Sequence, residues 1–65
     1  MKVRMVIRMI EDDGWFFTRQ RGSHRQFHHR VKKGCVTVPG HFSDEVPTGT
    51  LASIMKQAGI ERRRR

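Results

Sequence analysis

The sequence predicts an α+β domain in which a helix is followed by three strands and a second helix. Two observations support this order. Apolar residues near both ends recur at the spacing of one helical face, whereas the middle of the chain contains short aromatic and β-branched runs separated by glycines. At 65 residues, the chain can build only one thin core. We therefore expect both helices to pack on one face of a three-stranded antiparallel sheet, with the other face in solvent.

The two helices are predicted from stripes of apolar residues at the intervals i, i+3, i+4 and i+7. The first helix is expected from Lys2 to about Asp12. Its stripe consists of Val3, Val6, Ile7 and Ile10. The second helix is expected between Pro47, which suits a first helical turn, and Gly59, which suits a left-handed cap at the C-terminal end. Its stripe consists of Leu51, Ile54, Met55 and Ala58.

The three strands are predicted at residues 15–20, 23–29 and 35–38, with a short turn at Arg21-Gly22 between the first two. Side chains alternate between the two faces of a strand. One face of the first strand should therefore carry Trp15, Phe17 and Arg19. One face of the second should carry His24, Gln26 and His28, opposite to Ser23, Arg25, Phe27 and His29. Cys35 should be a half-buried residue of the third strand.

The aromatic residues are expected to divide between the core and the surface. We predict Trp15, Phe17 and Phe27 in the core. Phe16, on the other face of the first strand, is the better candidate for stacking on a nucleic-acid base.

The charge of the chain favours a polyanionic ligand. Fourteen Lys and Arg residues outnumber six Asp and Glu residues, which gives a net charge of +8. No acidic residue occurs from Gly14 to Ser43. The residues predicted to contact RNA are Arg19, Arg21, Ser23, Arg25, His28, Lys32 and Lys33. Part of the charge lies in Arg62 to Arg65, so we interpret residues 1–60 as a single domain and 61–65 as a basic tail.

Several classes of protein are disfavoured by the composition. No run approaches the roughly 18 apolar residues of a membrane span, and the charged N-terminus does not suit a signal peptide. The single cysteine excludes an internal disulfide framework, so nothing in the sequence demands an oxidising compartment. From these features together we expect a cytoplasmic protein without a membrane partner. The four histidines lack the spacing of a structural zinc site. We therefore predict no metal and no cofactor.

The Gly22-Ser23-His24 segment is the strongest candidate for a site. His24 is predicted at an exposed strand start, surrounded by cations and without a nearby carboxylate. An unperturbed imidazole is partly neutral at cellular pH and can accept a proton. These features suit a general base acting on a polyanion.

Several motifs occur in order along residues 3 to 60. They are Gly14-Trp15, Arg19-Gln20-Arg21-Gly22-Ser23-His24, Val36-Thr37-Val38-Pro39 with His41, Gly49-Thr50-Leu51, and Ile54-Met55-Lys56-Gln57-Ala58-Gly59. Together they resemble the HicA family of messenger-RNA interferase toxins. The resemblance implies a double-stranded-RNA-binding-domain-like fold, which agrees with the element order above. It also implies that His24 is the catalytic residue, that messenger RNA is cleaved, and that a HicB-type antitoxin holds the toxin inactive.

A histidine base suffices for such a reaction because RNA carries its own nucleophile, the 2′-hydroxyl. His24 would remove its proton, while Arg25, Arg21 or Lys33 would offset charge on the phosphorane. The leaving oxygen also needs a proton. His28, His41 or water are the candidates for that general acid.

Two other functions fit the same composition. One is a non-catalytic double-stranded-RNA-binding module, and the other is an interaction protein whose basic face docks an acidic partner. If an antitoxin is present, we expect it to cover His24 and to reach the first helix at Met5 and Met9. These methionines are predicted nearly opposite the apolar stripe, where they are either partly covered by the tail, tolerated in solvent, or in contact with a protein partner.

Overall fold

A computed structural model describes residues 1–60 of the chain. Within this range the elements are α1 (Val3–Asp12), β1 (Phe16–Arg21), β2 (His24–His28), β3 (Val36–Val38) and α2 (Thr48–Ala58). The strands form an antiparallel sheet in the order β1-β2-β3, with β2 in the centre. The predicted α+β fold class and element order are confirmed. The predicted basic tail at residues 61–65 lies outside the described residues.

Both helices pack on the same face of the sheet, as predicted. Pairing of Phe27 with Val36, and of Arg25 with Val38, places these four side chains on one face. The apolar stripes of the helices bury against this face. The core consists of Val3, Val6 and Ile10 from α1, Ile54 and Ala58 from α2, and Trp15, Phe27, Val36, Val38 and Val46. We call the covered side the helix side and the other side the open face.

The C-terminal ends of the two helices are tied together by a polar cluster around Trp15. The indole Nε1–H of Trp15 donates to the carbonyl oxygen of Ala58 at 3.1 Å. The Lys32 ammonium donates to the carboxylate of Asp13 at 2.6 Å and to the carbonyl oxygens of Ala58 and Gly59 at 3.1 Å. A cation at this position satisfies carbonyl groups that have no partner within the helix. Gly59 adopts the predicted left-handed cap, with φ 65° and ψ 33°.

The predicted alternation along β1 is wrong beyond Phe17 because the strand contains a bulge. Phe17 pairs with Phe27, but the next paired residue is Arg19, which lies opposite Gln26. Thr18 is the extra residue, and its hydroxyl donates to the carbonyl oxygen of Gln26 at 3.0 Å. A bulge inserts one residue without a partner, so the face of every later side chain changes relative to simple alternation.

Other differences from the predictions concern burial and strand ends. Phe17 was expected in the core, yet it is 51% exposed because neither helix covers the outer edge of β1. Trp15 and Phe27 are buried, as predicted. Strand β3 begins at Val36, and the preceding Cys35 is exposed rather than half-buried. No helix within residues 1–60 is long and apolar enough to cross a membrane.

Candidate functional site

A two-residue turn presents His24 at the start of β2. Arg21 and His24 are the last pair of the hairpin, so Gly22 and Ser23 form the loop between them. Gly22 has φ 58°, and no residue other than glycine among those described has a positive φ. A two-residue hairpin loop with glycine at its first position is the pattern of a type II′ turn. The turn therefore places His24 at the end of the sheet, where its side chain is exposed.

His24 shares the open face with two arginines from β1. Residues that pair directly across an antiparallel ladder lie on the same face. Arg21 pairs with His24, and Arg19 pairs with Gln26, the next residue of β2 on that face. The bulge at Thr18 is responsible for this placement, because strict alternation from Phe17 would turn both arginines to the helix side.

The charged side chains at this end of the open face are cationic. Arg19 and Arg21 are exposed, and within residues 1–60 neither takes part in an ion pair. The nearest carboxylates in sequence are Asp13 and Asp44, and no acidic residue lies between them. Two unneutralised guanidinium groups beside an exposed imidazole form a surface suited to phosphate.

Arg25 does not belong to this surface. It is only 9% exposed and points to the helix side. Its Nη1 donates to the carbonyl oxygen of Gly40 at 2.7 Å, and its guanidinium carbon lies 4.2 Å from the ring centroid of Phe42. The side chain thus holds the loop after β3 against β2. Because the Arg25 and His24 side chains are on opposite faces, this placement argues against the prediction that Arg25 contacts RNA or offsets charge beside His24.

The remaining candidates for RNA contact, two lysines and a serine, are placed differently from one another. Lys32 is engaged by Asp13 and by the C-terminal carbonyl groups of α2, so its main contacts are structural. Lys33 is exposed in the segment between β2 and β3, and Ser23 is partly buried in the hairpin turn. Of the two lysines, Lys33 is the one whose charge faces solvent without such contacts in the described part of the chain.

His28 lies at the far end of β2 from His24. It shares the open face, as predicted, and is exposed. Four residues of strand separate the two by roughly 13 Å at about 3.3 Å per residue. A base and an acid that act on one phosphodiester must both reach it by a hydrogen bond or through one water. This distance argues against His28 as the general acid paired with His24.

His41 lies at the same end of the sheet as His24. Val38, the last residue of β3, pairs with Arg25, so the loop that follows begins beside the start of β2. The backbone N–H of His41 donates to the Asp44 carboxylate at 3.0 Å, and its side chain is exposed. His41 therefore follows the end of β3 that lies beside the start of β2, whereas Gly40 and Phe42 on either side of it contact Arg25 on the helix side.

His29 has a structural environment. Its Nδ1 accepts the backbone N–H groups of Val31 and Lys32, both at 3.0 Å, and its Nε2 lies 2.8 Å from the carbonyl oxygen of Asp13. A carbonyl can only accept, so Nε2 carries the proton. The ring also packs edge-on against Trp15 at 5.1 Å. These contacts connect β2 to the end of α1.

An aromatic residue at the other end of the open face was identified from the sequence, but its cationic neighbour was missed. Phe16 pairs with His28 and is 43% exposed, which suits its predicted role in base stacking. The Arg30 guanidinium lies 5.8 Å from the ring centroid of Phe16. Arg30 lies two residues after the end of β2. It reaches Phe16 of β1 only because the chain turns there, which the sequence alone does not indicate.

The two methionines of α1 differ in exposure. Met5 is 46% exposed, as expected for the outer side of the helix. Met9 is partly buried and packs against the core, so its predicted position opposite the apolar stripe is wrong. A partner contact on α1 would therefore involve Met5 more than Met9.

Within residues 1–60, no group of three or more His, Cys, Asp or Glu side chains is arranged to hold a metal ion. The site contains an imidazole and guanidinium groups, which can move a proton and stabilise negative charge.

Comparisons with known proteins identify the family of this chain. No curated protein matches it significantly. A family model described as the HicA toxin of bacterial toxin–antitoxin systems matches residues 3–60, which include every described helix and strand. The match covers most of the chain, and the resemblance expected from the sequence is confirmed. The chain belongs to the HicA toxin family.

Proposed function

We propose that this toxin is an endoribonuclease that cleaves messenger RNA with His24 as the general base. The observation that carries the proposal is the exposure of His24 on an acid-free face, directly opposite Arg21 in the sheet. The open face supports the proposal as well, because no helix among the described residues covers it and it offers an exposed sheet surface to the RNA.

In the proposed reaction, a neutral His24 imidazole removes the proton of a 2′-hydroxyl group. The resulting oxygen attacks the adjacent phosphorus, and the bond from phosphorus to the 5′-oxygen breaks. Arg21, with Arg19 beside it, stabilises the negative charge on the phosphorane. The leaving oxygen takes a proton from a general acid, for which His41 is a candidate and His28, at the far end of β2, is not. Solvent is the alternative proton donor. The products are a 2′,3′-cyclic phosphate and a 5′-hydroxyl.

The test compares His24→Ala with the matched variant His28→Ala in cleavage of a purified messenger RNA. Both histidines are exposed on the same face of the same strand. Loss of general base catalysis should slow cleavage by about a hundred- to ten-thousand-fold in His24→Ala, while His28→Ala changes it little. Circular dichroism verifies that both variants are folded.

Two results would contradict this assignment. One is a folded His24→Ala protein that cleaves at the wild-type rate. The other is a set of products with 3′-hydroxyl ends together with loss of activity in EDTA, which would indicate attack by metal-bound water. If the wild type binds RNA without cleaving it, the protein is a binding module instead.

The antitoxin partner implied by the family would silence this site by covering it. We propose a HicB-type protein that blocks access of RNA to His24. An acidic surface on that protein would be attracted to Arg19 and Arg21 and would compete with RNA for them. RNA cleavage by the intact toxin–antitoxin complex would refute this mode of control.

A further inference from the structure

A second surface lies on the helix side of the sheet, between α1 and the edge strand β1. It is a groove of about 330 Å³, and its apolar lining comes from Ile7, Phe17, Phe27 and Phe42. Phe17 is 51% exposed and Phe42 is 54% exposed, although most apolar side chains of this small domain are covered. Residues 1–60 thus leave an apolar groove open between two half-exposed aromatic rings.

The polar residues of the groove make it a poor site for RNA. They are Glu11, Gln20 and Arg25. The Glu11 carboxylate repels phosphate, and the Arg25 guanidinium is already engaged by the Gly40 carbonyl and the Phe42 ring. Gln20 pairs with Arg25 across the ladder and carries no charge. No free cation therefore lines the groove within the described residues, in contrast to the open face.

The surroundings of the groove carry positive charge. On α1, Arg4 precedes Ile7 by three residues and Arg8 precedes Glu11 by three, so each arginine is a neighbour of a lining residue on the helix surface. Both arginines are exposed. Across the edge of β1, Arg19 and Arg21 project from the open face. An occupant of the groove thus meets an apolar centre with cations on both sides.

We propose that the groove is the anchoring site of the antitoxin, which inserts a large apolar side chain carried on an acidic segment. The arginines around the groove favour an acidic segment at its rim, whereas the apolar lining and the Glu11 carboxylate favour an apolar side chain, rather than a phosphate, inside it. Charge attraction alone would give a contact that salt weakens and RNA competes for, whereas a desolvated apolar anchor supplies lasting affinity. Because β1 is an edge strand, one partner can fill the groove and reach around β1 toward His24.

The inference rests on membership of a toxin–antitoxin family and goes beyond the proposed cleavage. Its test uses the protein encoded by the adjacent reading frame as the probe, with affinity measured by calorimetry. The principal variant is Phe17→Ser. The matched control is Phe16→Ser, which changes an aromatic residue of similar exposure in the same strand but on the open face. Removing an anchor of this kind should weaken the affinity for the antitoxin by about thirty-fold or more. The control variant should lose clearly less affinity.

A second variant guards against an effect on folding. Phe42→Ser removes the other half-exposed ring of the groove from a loop, and it should also weaken binding. RNA cleavage by free Phe17→Ser should be unchanged. The proposal is overturned if Phe17→Ser and Phe42→Ser both bind like the wild type, if Phe16→Ser loses as much affinity, or if the wild type does not bind the probe. Loss of RNA cleavage in Phe17→Ser with normal binding of the probe would instead assign the groove to a nucleotide base. Cleavage by His24→Ala concerns only the proposed function, so the two proposals fail separately.

Discussion

Phe16 and Phe17 are consecutive aromatic residues of similar exposure, yet they lie on surfaces with different chemistry. Phe16 is on the open face, near Arg30 and in the same sheet surface as His24. Phe17 is on the helix side, in contact with Phe27 across the ladder and lining an apolar groove. The open face offers free cations, whereas the groove offers apolar side chains and a guanidinium that is already engaged. A single edge strand thus separates a surface suited to RNA from one suited to a protein.

The difference shows how a small chain can present two binding surfaces with one thin core. Both helices are needed to bury Phe27, Val36 and Val38, so the opposite face of the sheet stays free for a ligand. The helices do not reach the outer edge of β1, and this leaves the groove. Two helices are too few to cover the whole sheet, and both exposed surfaces result from this.

The largest expected effect separates the arginines of the two surfaces. Arg19→Ala/Arg21→Ala should weaken RNA binding strongly and reduce the slope of log K against log salt by about 1.4, at about 0.7 per phosphate of a single strand. The matched double variant Arg4→Ala/Arg8→Ala, on the groove side, should leave the slope nearly unchanged. Equal slopes for the two variants in a salt titration would remove the electrostatic distinction between the surfaces.

A smaller effect concerns Arg25, which the sequence associates with RNA and the structure places on the groove side. Arg25→Met removes the charge-assisted hydrogen bond to Gly40 and the contact with Phe42, so the free energy of unfolding should fall by about 1–2 kcal/mol. The salt dependence of RNA binding should stay that of the wild type. Urea unfolding and a salt titration measure the two quantities, and a reduced salt slope would return Arg25 to the RNA surface.

The smallest effect is expected for deletion of Thr18. Without this residue, the existing pairs Phe17 with Phe27 and Arg19 with Gln26 would become consecutive in a regular ladder, so every side chain of β1 would keep its present face. The deletion variant should therefore fold, retain most of its cleavage and still bind the antitoxin. Loss of both activities in a folded deletion variant would indicate that the local twist of the bulge, and not only the assignment of faces, shapes the two surfaces.

The sequence predicted the elements and the central residue of the candidate site. The two apolar stripes gave the helices, and the glycine of the hairpin turn gave the exposed strand start at His24. The sequence also predicted the faces of β2 correctly, since β2 is regular and pairs on both sides. These features depend on periodicity and turn chemistry within a few residues, which a single sequence displays.

Only the tertiary structure determines three features of the molecule. They are the face on which each β1 side chain lies, the burial of Arg25 and the exposure of Phe17. A bulge is a property of the pairing between two strands. The sequence of residues 16–21 therefore does not indicate that Thr18 is the extra residue. In the sequence, Arg25 is one more cation of a basic run. In the structure, the loop after β3 brings Gly40 and Phe42 into contact with its guanidinium group. Phe17 is as apolar as a core residue, but its burial depends on whether another element packs over it. The helices do not cover the edge of the sheet where Phe17 lies, so its side chain stays exposed. Local periodicity determines whether a segment forms a helix or a strand. Contacts between segments that are distant in the sequence determine which side chains are exposed and available to bind a ligand.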